Sequence, residues 1–152
     1  MLNEINKLLR EACLALNKTG CLNYQVNIKL FDCGNAGGLS ASKVVKIALG
    51  QEATIGNTFA TSDNEIIQDL KKGFEYSGDE SSHPNKDALM SPIEQAKRDK
   101  AISLIKNHLN KSTMLIGFWL KEGHPFYPVF WDFAYIIEHD KKSSILIGSS
   151  SD

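Results

Sequence analysis

The apolar residues change their period within the first thirty positions, from helical spacing to strict alternation, so the fold must combine helix and strand. Ile5, Leu8, Leu9, Ala12, Cys13 and Leu16 recur at i, i+3, i+4 and i+7 with charges opposite, and Gly20 closes the run as a helix C-terminus would. Leu22, Tyr24, Val26, Ile28 and Leu30 then alternate with Asn23, Gln25, Asn27 and Lys29, the mark of a strand with one wet face. Residues 32–42, DCGNAGGLSAS, are turn formers and predict a loop. Residues 43–49 fit either a strand or a short helix ending at Gly50, and we favour the strand. Residues 52–61 carry three threonines with Ile55 and Phe59, which predicts another strand with a bulge or turn at Gly56 and Asn57. The three strands together would form an antiparallel meander.

Ser62 with Glu65 has the spacing of a capping box, in which each side chain satisfies an orphan amide at a helix start. Ile66, Ile67, Leu70 and Phe74 follow as an apolar stripe, so a helix is expected over 63–75. The polar stretch 76–90, YSGDESSHPNKDALM, lacks large aliphatic anchors and predicts a mobile surface loop. Ser91, Pro92 and Glu94 repeat the start signal, and the helix should run to about residue 109. Its inward stripe is expected to be Ile93, Ala96, Ala101, Leu104, Ile105 and His108, with Lys97, Arg98, Asp99, Lys100 and Lys106 toward solvent. Residues 113–120 are apolar on both alternating sets, as in a central strand covered on both faces. Glu122 and Gly123 make a turn. Strands over 129–138 and 144–148 would be joined through Asp140, Lys141 and Lys142, ahead of a serine-rich tail. The class that follows is α+β: a single domain over 1–152, whose antiparallel sheet ends in a three-stranded meander and packs against about three helices.

At 152 residues the chain can bury a core without disulfides or a structural metal. Lys plus Arg is 17 and Asp plus Glu is 18, a net charge of −1 that supplies no basic excess for nucleic acid. The opening residues are interrupted by Glu4, Lys7, Arg10 and Glu11, unlike a signal peptide, and no apolar run approaches a membrane span, so a cytoplasmic protein is expected. Cys13, Cys21 and Cys33 match neither a CxxC pair nor a zinc pattern and read as reduced thiols, with no cofactor or metal implied.

Two segments offer chemistry. The loop GNAGG, 34–38, follows a strand and could surround an anion with amides, but it lacks the Walker lysine and does not spell GxGxxG; a hairpin loop is the plainer reading. Cys33 beside it would need a base in space to act as a nucleophile. The more distinctive segment is 118–135, which holds both tryptophans. Its alternation puts Trp131, Phe133 and Tyr135 on one face and Phe130, Asp132 and Ala134 on the other, so one face should hold either helices or a ligand. Asp132 must find a partner or a proton if buried. His124 and His139 flank this strand and, along a straight chain, lie too far apart to share a metal. The candidate binding residues are Trp119, His124, Tyr127, Trp131, Asp132 and Tyr135, with none assigned to catalysis.

With no nucleophile elbow, metal cluster or good phosphate loop, the sequence favours a binding protein over an enzyme. Its partner would be a protein, as for an inhibitor or immunity-type protein covering a toxin or enzyme; a homo-oligomer is compatible with such a surface. The alternative is a small-ligand or enzyme pocket near 118–135, with Asp132, His124 or Glu122 as its polar groups.

Overall fold

Ile5, Leu9, Ala12, Cys13 and Leu16 form the buried stripe of helix α1 (Leu2–Asn17). The elements that follow are β1 (Gln25–Asp32), α2 (Ala41–Leu49), β2 (Thr54–Ala60), α3 (Asp63–Glu75), α4 (Lys86–Met90), α5 (Pro92–Asn110), β3 (Met114–Glu122), β4 (Trp131–His139) and β5 (Lys142–Ser151). This computed structural model describes every residue except Leu22, Asp79, Tyr127, Pro128, Phe130 and Asp152. The five strands make one sheet in the order β1-β5-β4-β3-β2, antiparallel throughout. The α+β class and the C-terminal meander are as expected.

The expected N-terminal meander does not form, because residues 43–49 lie in helix α2. Ser40 accepts a hydrogen bond from the Lys43 amide as its N-cap, Val44 and Val45 turn inward, and Gly50 at φ 103° ends it. Local capping outweighs the β preference of the two valines. Without a strand between them, β1 and β2 lie at opposite edges of the sheet. The bulge expected near Gly56 is present as register shifts between Thr54 and Thr58.

The sheet is packed on both faces. Val26, Ile28, Leu30, Phe133, Tyr135, Ile137 and Leu146 meet α1, α3 and α5 in the larger core. Phe118, Ala134, Ile136, Ile145 and Ile147 meet Val44 and Val45 of α2 in the smaller one. Strand β3 is not covered on both faces as expected: it lies next to edge strand β2, and Met114 and Trp119 are 41% and 47% exposed. The serine-rich tail belongs to the sheet, with Ser149 and Ser150 buried between β1 and β4. Small hydroxyl side chains fit where two strands flank a third.

Helix α5 begins at the Ser91 cap as expected, but its first turns face the other way. Arg98 is buried, whereas Ile93 is 71% exposed and Ala96 lies at the surface. The Arg98 guanidinium donates to the carbonyls of Ala88 and Leu89 and to Gln95 Oε1, so it is held at the C-terminal turn of α4, where a cation is favoured. Helix α4 itself corrects the reading of 76–90 as loop throughout. Asn85 caps it by accepting from the Ala88 amide and ties it to α1 through the carbonyls of Leu16 and Lys18.

Two side chains of α1 complete the outer edge of β1. Asn6 accepts from the Leu30 amide at 2.8 Å and donates to the Leu30 carbonyl at 2.7 Å; Asn17 does the same for Val26 at 2.8 and 2.9 Å. Each carboxamide supplies one donor and one acceptor, as a neighbouring strand would.

Candidate functional site

Strand alternation sends the rings of β4 to one face, and packing decides what remains open. Tyr135 is buried, its hydroxyl donates to Asp69 Oδ2 on α3, and burial first, with Asp69 second, raises its pKa. It is a core residue that ties α3 to the sheet. Trp131 is half-buried, packs edge-on against Phe133 with ring centroids 5.4 Å apart, and lines a shallow depression with Lys72, Glu75, Tyr76 and Ser77. Tyr127 lies outside the described residues.

Asp132 is the second residue of β4, not a mid-strand one, and faces away from those rings. His124, just beyond β3, places Nε2 3.1 Å from Asp132 Oδ2, and its Nδ1 accepts from the Phe126 amide at 3.0 Å. The proton of the neutral ring therefore sits on Nε2 and faces the carboxylate, without an aligned hydrogen bond among the described residues. A general base needs a free lone pair, and the lone pair of His124 is already taken by its own backbone. The pair resembles the orienting half of a catalytic triad but has its acceptor turned inward, so it staples the chain that precedes β4. Asp132→Ala should therefore cost about 1 kcal/mol, as for a partly exposed polar contact, and lower the thermal midpoint by about 2–4 °C. A midpoint equal to or above the parent's would contradict the staple.

At the opposite end of the sheet, the rings of His108 and His139 meet at a tilt of 56°, with centroids 4.2 Å apart. His139 Nε2 donates to the His108 carbonyl at 2.8 Å, and His108 Nε2 lies 2.9 Å from Ser144 Oγ. The last distance suits a nucleophile and its base, a pairing that sequence spacing did not suggest because 36 positions separate the two residues. Both side chains are buried, however, and the cavity beside them is about 60 Å³, with Leu2 and Ile137 in its wall. Burial first, then His139 and Lys111, pulls His108 from its ordinary value down to about 4. Such a histidine is too weak a base for neutral pH. In the unfolded chain it takes up its proton near pH 6.5, ahead of the folded chain. Its contribution to stability is therefore complete above about pH 6.5 and declines as the pH falls toward 4, by up to about 3 kcal/mol. Urea unfolding at pH 7 and pH 4.5 checks this, since His108→Gln should flatten that part of the profile.

The glycine-rich loop is not a free anion cradle. The Gly37 amide donates to the Lys141 carbonyl at 2.8 Å, and the Gly34 carbonyl accepts from the Ser143 amide at 3.0 Å. A Cβ on Gly37 would meet the Asp140 carbonyl oxygen at 2.2 Å, so glycine here permits close docking on the β4–β5 turn. Cys33 is buried, and burial first, with Asp32 second, pushes its thiol up to about 11, the wrong direction for a nucleophile. Among the described residues, no three His, Cys, Asp or Glu side chains converge as a metal site.

What remains open is the end of the sheet formed by β3 and β2. Trp119 and Phe59 are each 47% exposed and stand on the β3–β2 ribbon, on the same face as Tyr135. Their seats are glycines: a Cβ on Gly56 would lie 2.3 Å from the Trp119 ring, and one on Gly117 would lie 2.1 Å from the Phe59 ring. Phe59 also meets Tyr135 edge-on, with centroids 6.5 Å apart. Both rings are thus fixed while remaining accessible. Of the residues singled out in the sequence, the structure joins His124 to Asp132, buries Tyr135, half-buries Trp131 and leaves Trp119 exposed. Phe59 was not singled out as a binding residue; its one signal is a lone large ring in the threonine-rich strand 52–61.

No protein-family model and no curated protein matches the chain. Two crystal structures of citrus MAF1 align with it, at 14% identity in each case. The form in space group C 2 2 21 covers 100% of this chain and 98% of its own, with a TM-score of 0.43. The form in P 31 2 1 covers 98% and 97%, with a TM-score of 0.42. Likeness at that level carries no functional argument. Among the described residues, no helix is long and apolar enough to cross a membrane.

Proposed function

We propose that this chain is a small binding protein that engages a protein partner through the aromatic face of the β2–β3 ribbon. The observation that carries the reading is the pair Phe59 and Trp119, half exposed and held on glycine seats beside the sheet edge. Rings fixed before binding lose little entropy on contact, and large aromatics supply much of the energy at protein interfaces. The titratable groups elsewhere, His124 with Asp132 and His108 with Ser144, are committed to their own chain. An inhibitor or immunity-type protein would use such a face to cover an enzyme or toxin.

The pocket reading asks for a cavity that reaches Asp132. The depression at Trp131 includes the residue next to Asp132 but not Asp132 itself, and the cavity of about 240 Å³ with Phe126 in its wall is otherwise lined by α1 and β1 residues such as Arg10, Asn17 and Asn27. The test is affinity capture with the parent chain, Asp132→Ala, and the double variant Phe59→Ala with Trp119→Ala, all checked for folding by circular dichroism. A partner retained by the parent and Asp132→Ala but reduced at least tenfold by the double variant supports the aromatic face. Equal capture by all three places the interface elsewhere.

A further inference from the structure

Resting on that reading, we infer that the partner contributes an extended segment, uncharged at its centre and basic at its flanks, which adds to β2 as a sixth strand. The sheet has two edges, and they are treated differently. Along β1, Asn6 and Asn17 occupy the outward amides and carbonyls of Leu30 and Val26. Along β2, the backbone hydrogen bonds among the described residues run to β3 alone. An uncovered edge is a template for another strand, and natural edges are commonly protected by charge or proline. Thr54–Ala60, TIGNTFA, has neither, and its last four residues are exposed. The bulge between Ile55 and Thr58 bends the edge, so the added strand should be short, about five residues.

The charges around this edge choose the occupant. Glu52 is exposed just before β2, Asp63 and Glu65 follow it, and Glu122 stands opposite Thr54 at the end of β3. Lys46 on α2 already donates to the carbonyls of Gln51 and Ala53, and Lys121, exposed beside Glu122, offsets one of the two carboxylates at that end and leaves Glu52 in excess. Acidic groups at both ends and an uncharged middle complement a strand with lysine or arginine at its ends. They oppose a second copy of this chain. Two-fold antiparallel pairing of β2 with itself sets Thr54 against Ala60, which brings Glu52 of each copy beside Asp63 of the other. Side chains of the added strand on the aromatic face would lie next to Phe59, as cross-strand neighbours do.

The probe is a fluorescein-labelled Lys-Lys-Val-Thr-Val-Thr-Val-Lys-Lys peptide titrated into the full chain, beside its counterpart with glutamate in place of lysine. The basic peptide is expected to bind at least tenfold tighter, and Glu52→Lys with Glu65→Lys should reverse the order. Backbone N-methylation of the peptide at alternate residues removes donors without touching the protein; one of the two methylation frames should lose binding at least tenfold and the other should keep it. Absence of binding by the basic peptide, equal binding of both frames, or a concentration-dependent dimer in sedimentation that excludes the peptide would overturn the inference. The two readings fail separately. Partner capture that depends on Phe59 and Trp119 but is not competed by the peptide leaves the aromatic face standing and removes the added strand. Peptide pairing without dependence of capture on those rings does the opposite.

Discussion

Alanine at both Asn6 and Asn17 is expected to lower stability by about 4 kcal/mol, since four hydrogen bonds to β1 backbone are lost at roughly 0.5–1.5 kcal/mol each. The carboxamides are matched to the strand: each meets the amide and carbonyl of one residue, and their targets, Leu30 and Val26, point to the same edge. Water can reach part of that edge once they are gone, so the loss should fall short of full desolvation of four buried groups. A second effect distinguishes this from ordinary helix destabilisation. An uncovered β1 becomes a pairing surface, and the double variant should self-associate at concentrations where the parent does not. Urea unfolding gives the first quantity and sedimentation velocity the second; an unchanged unfolding midpoint would show that the asparagines only decorate the edge.

Arg98→Ala should have a comparable effect, about 4 kcal/mol, from two stranded carbonyls and the cavity left by a long side chain. Arg98 is 2% exposed, and burial, partly offset by Glu94, Asp99 and Glu75, lowers its pKa. No carboxylate lies within ion-pair distance of it among the described residues; its partners are the Ala88 and Leu89 carbonyls and the Gln95 amide oxygen. Arg98→Met should recover part of the loss by filling the space. Because the guanidinium holds α4 against α5, both variants should also speed proteolysis within 76–90, the stretch whose sequence predicts a mobile surface loop. Faster cleavage elsewhere, with 76–90 unaffected, would separate Arg98 from the anchoring of α4.

Helix starts were legible because their signals are local. Ser62 and Ser91 accept from the amides of Glu65 and Glu94, within one turn, and α3 and α5 begin where the serines place them, although the Glu65 side chain accepts from the Thr61 hydroxyl rather than closing a capping box. Helix α2 was hidden because Ser40 sits in a run of turn formers while Val44 and Val45 look like strand. Arg98 was assigned to solvent on its charge; the carbonyls that receive it belong to a helix formed by an otherwise polar stretch. The site was less legible than the fold. His124 meets Asp132 only because the chain reverses after β3, and Phe59 joins Trp119 only through the β2–β3 register. Neither relation has a fixed spacing in sequence.

The position of β5 has a consequence for how the molecule is reached from the unfolded chain. It is the last strand in order yet lies between β1 and β4, and Ser151 Oγ donates to the Asn23 carbonyl across 128 positions. Strand β1 therefore has no strand neighbour until the most distant part of the chain arrives, and contacts of such long separation make folding slow. The asparagine contacts of α1 with β1 close over only 24 and 9 positions. They can form early, so the lone strand is shielded along one side throughout the interval in which it is most exposed to pairing with another molecule.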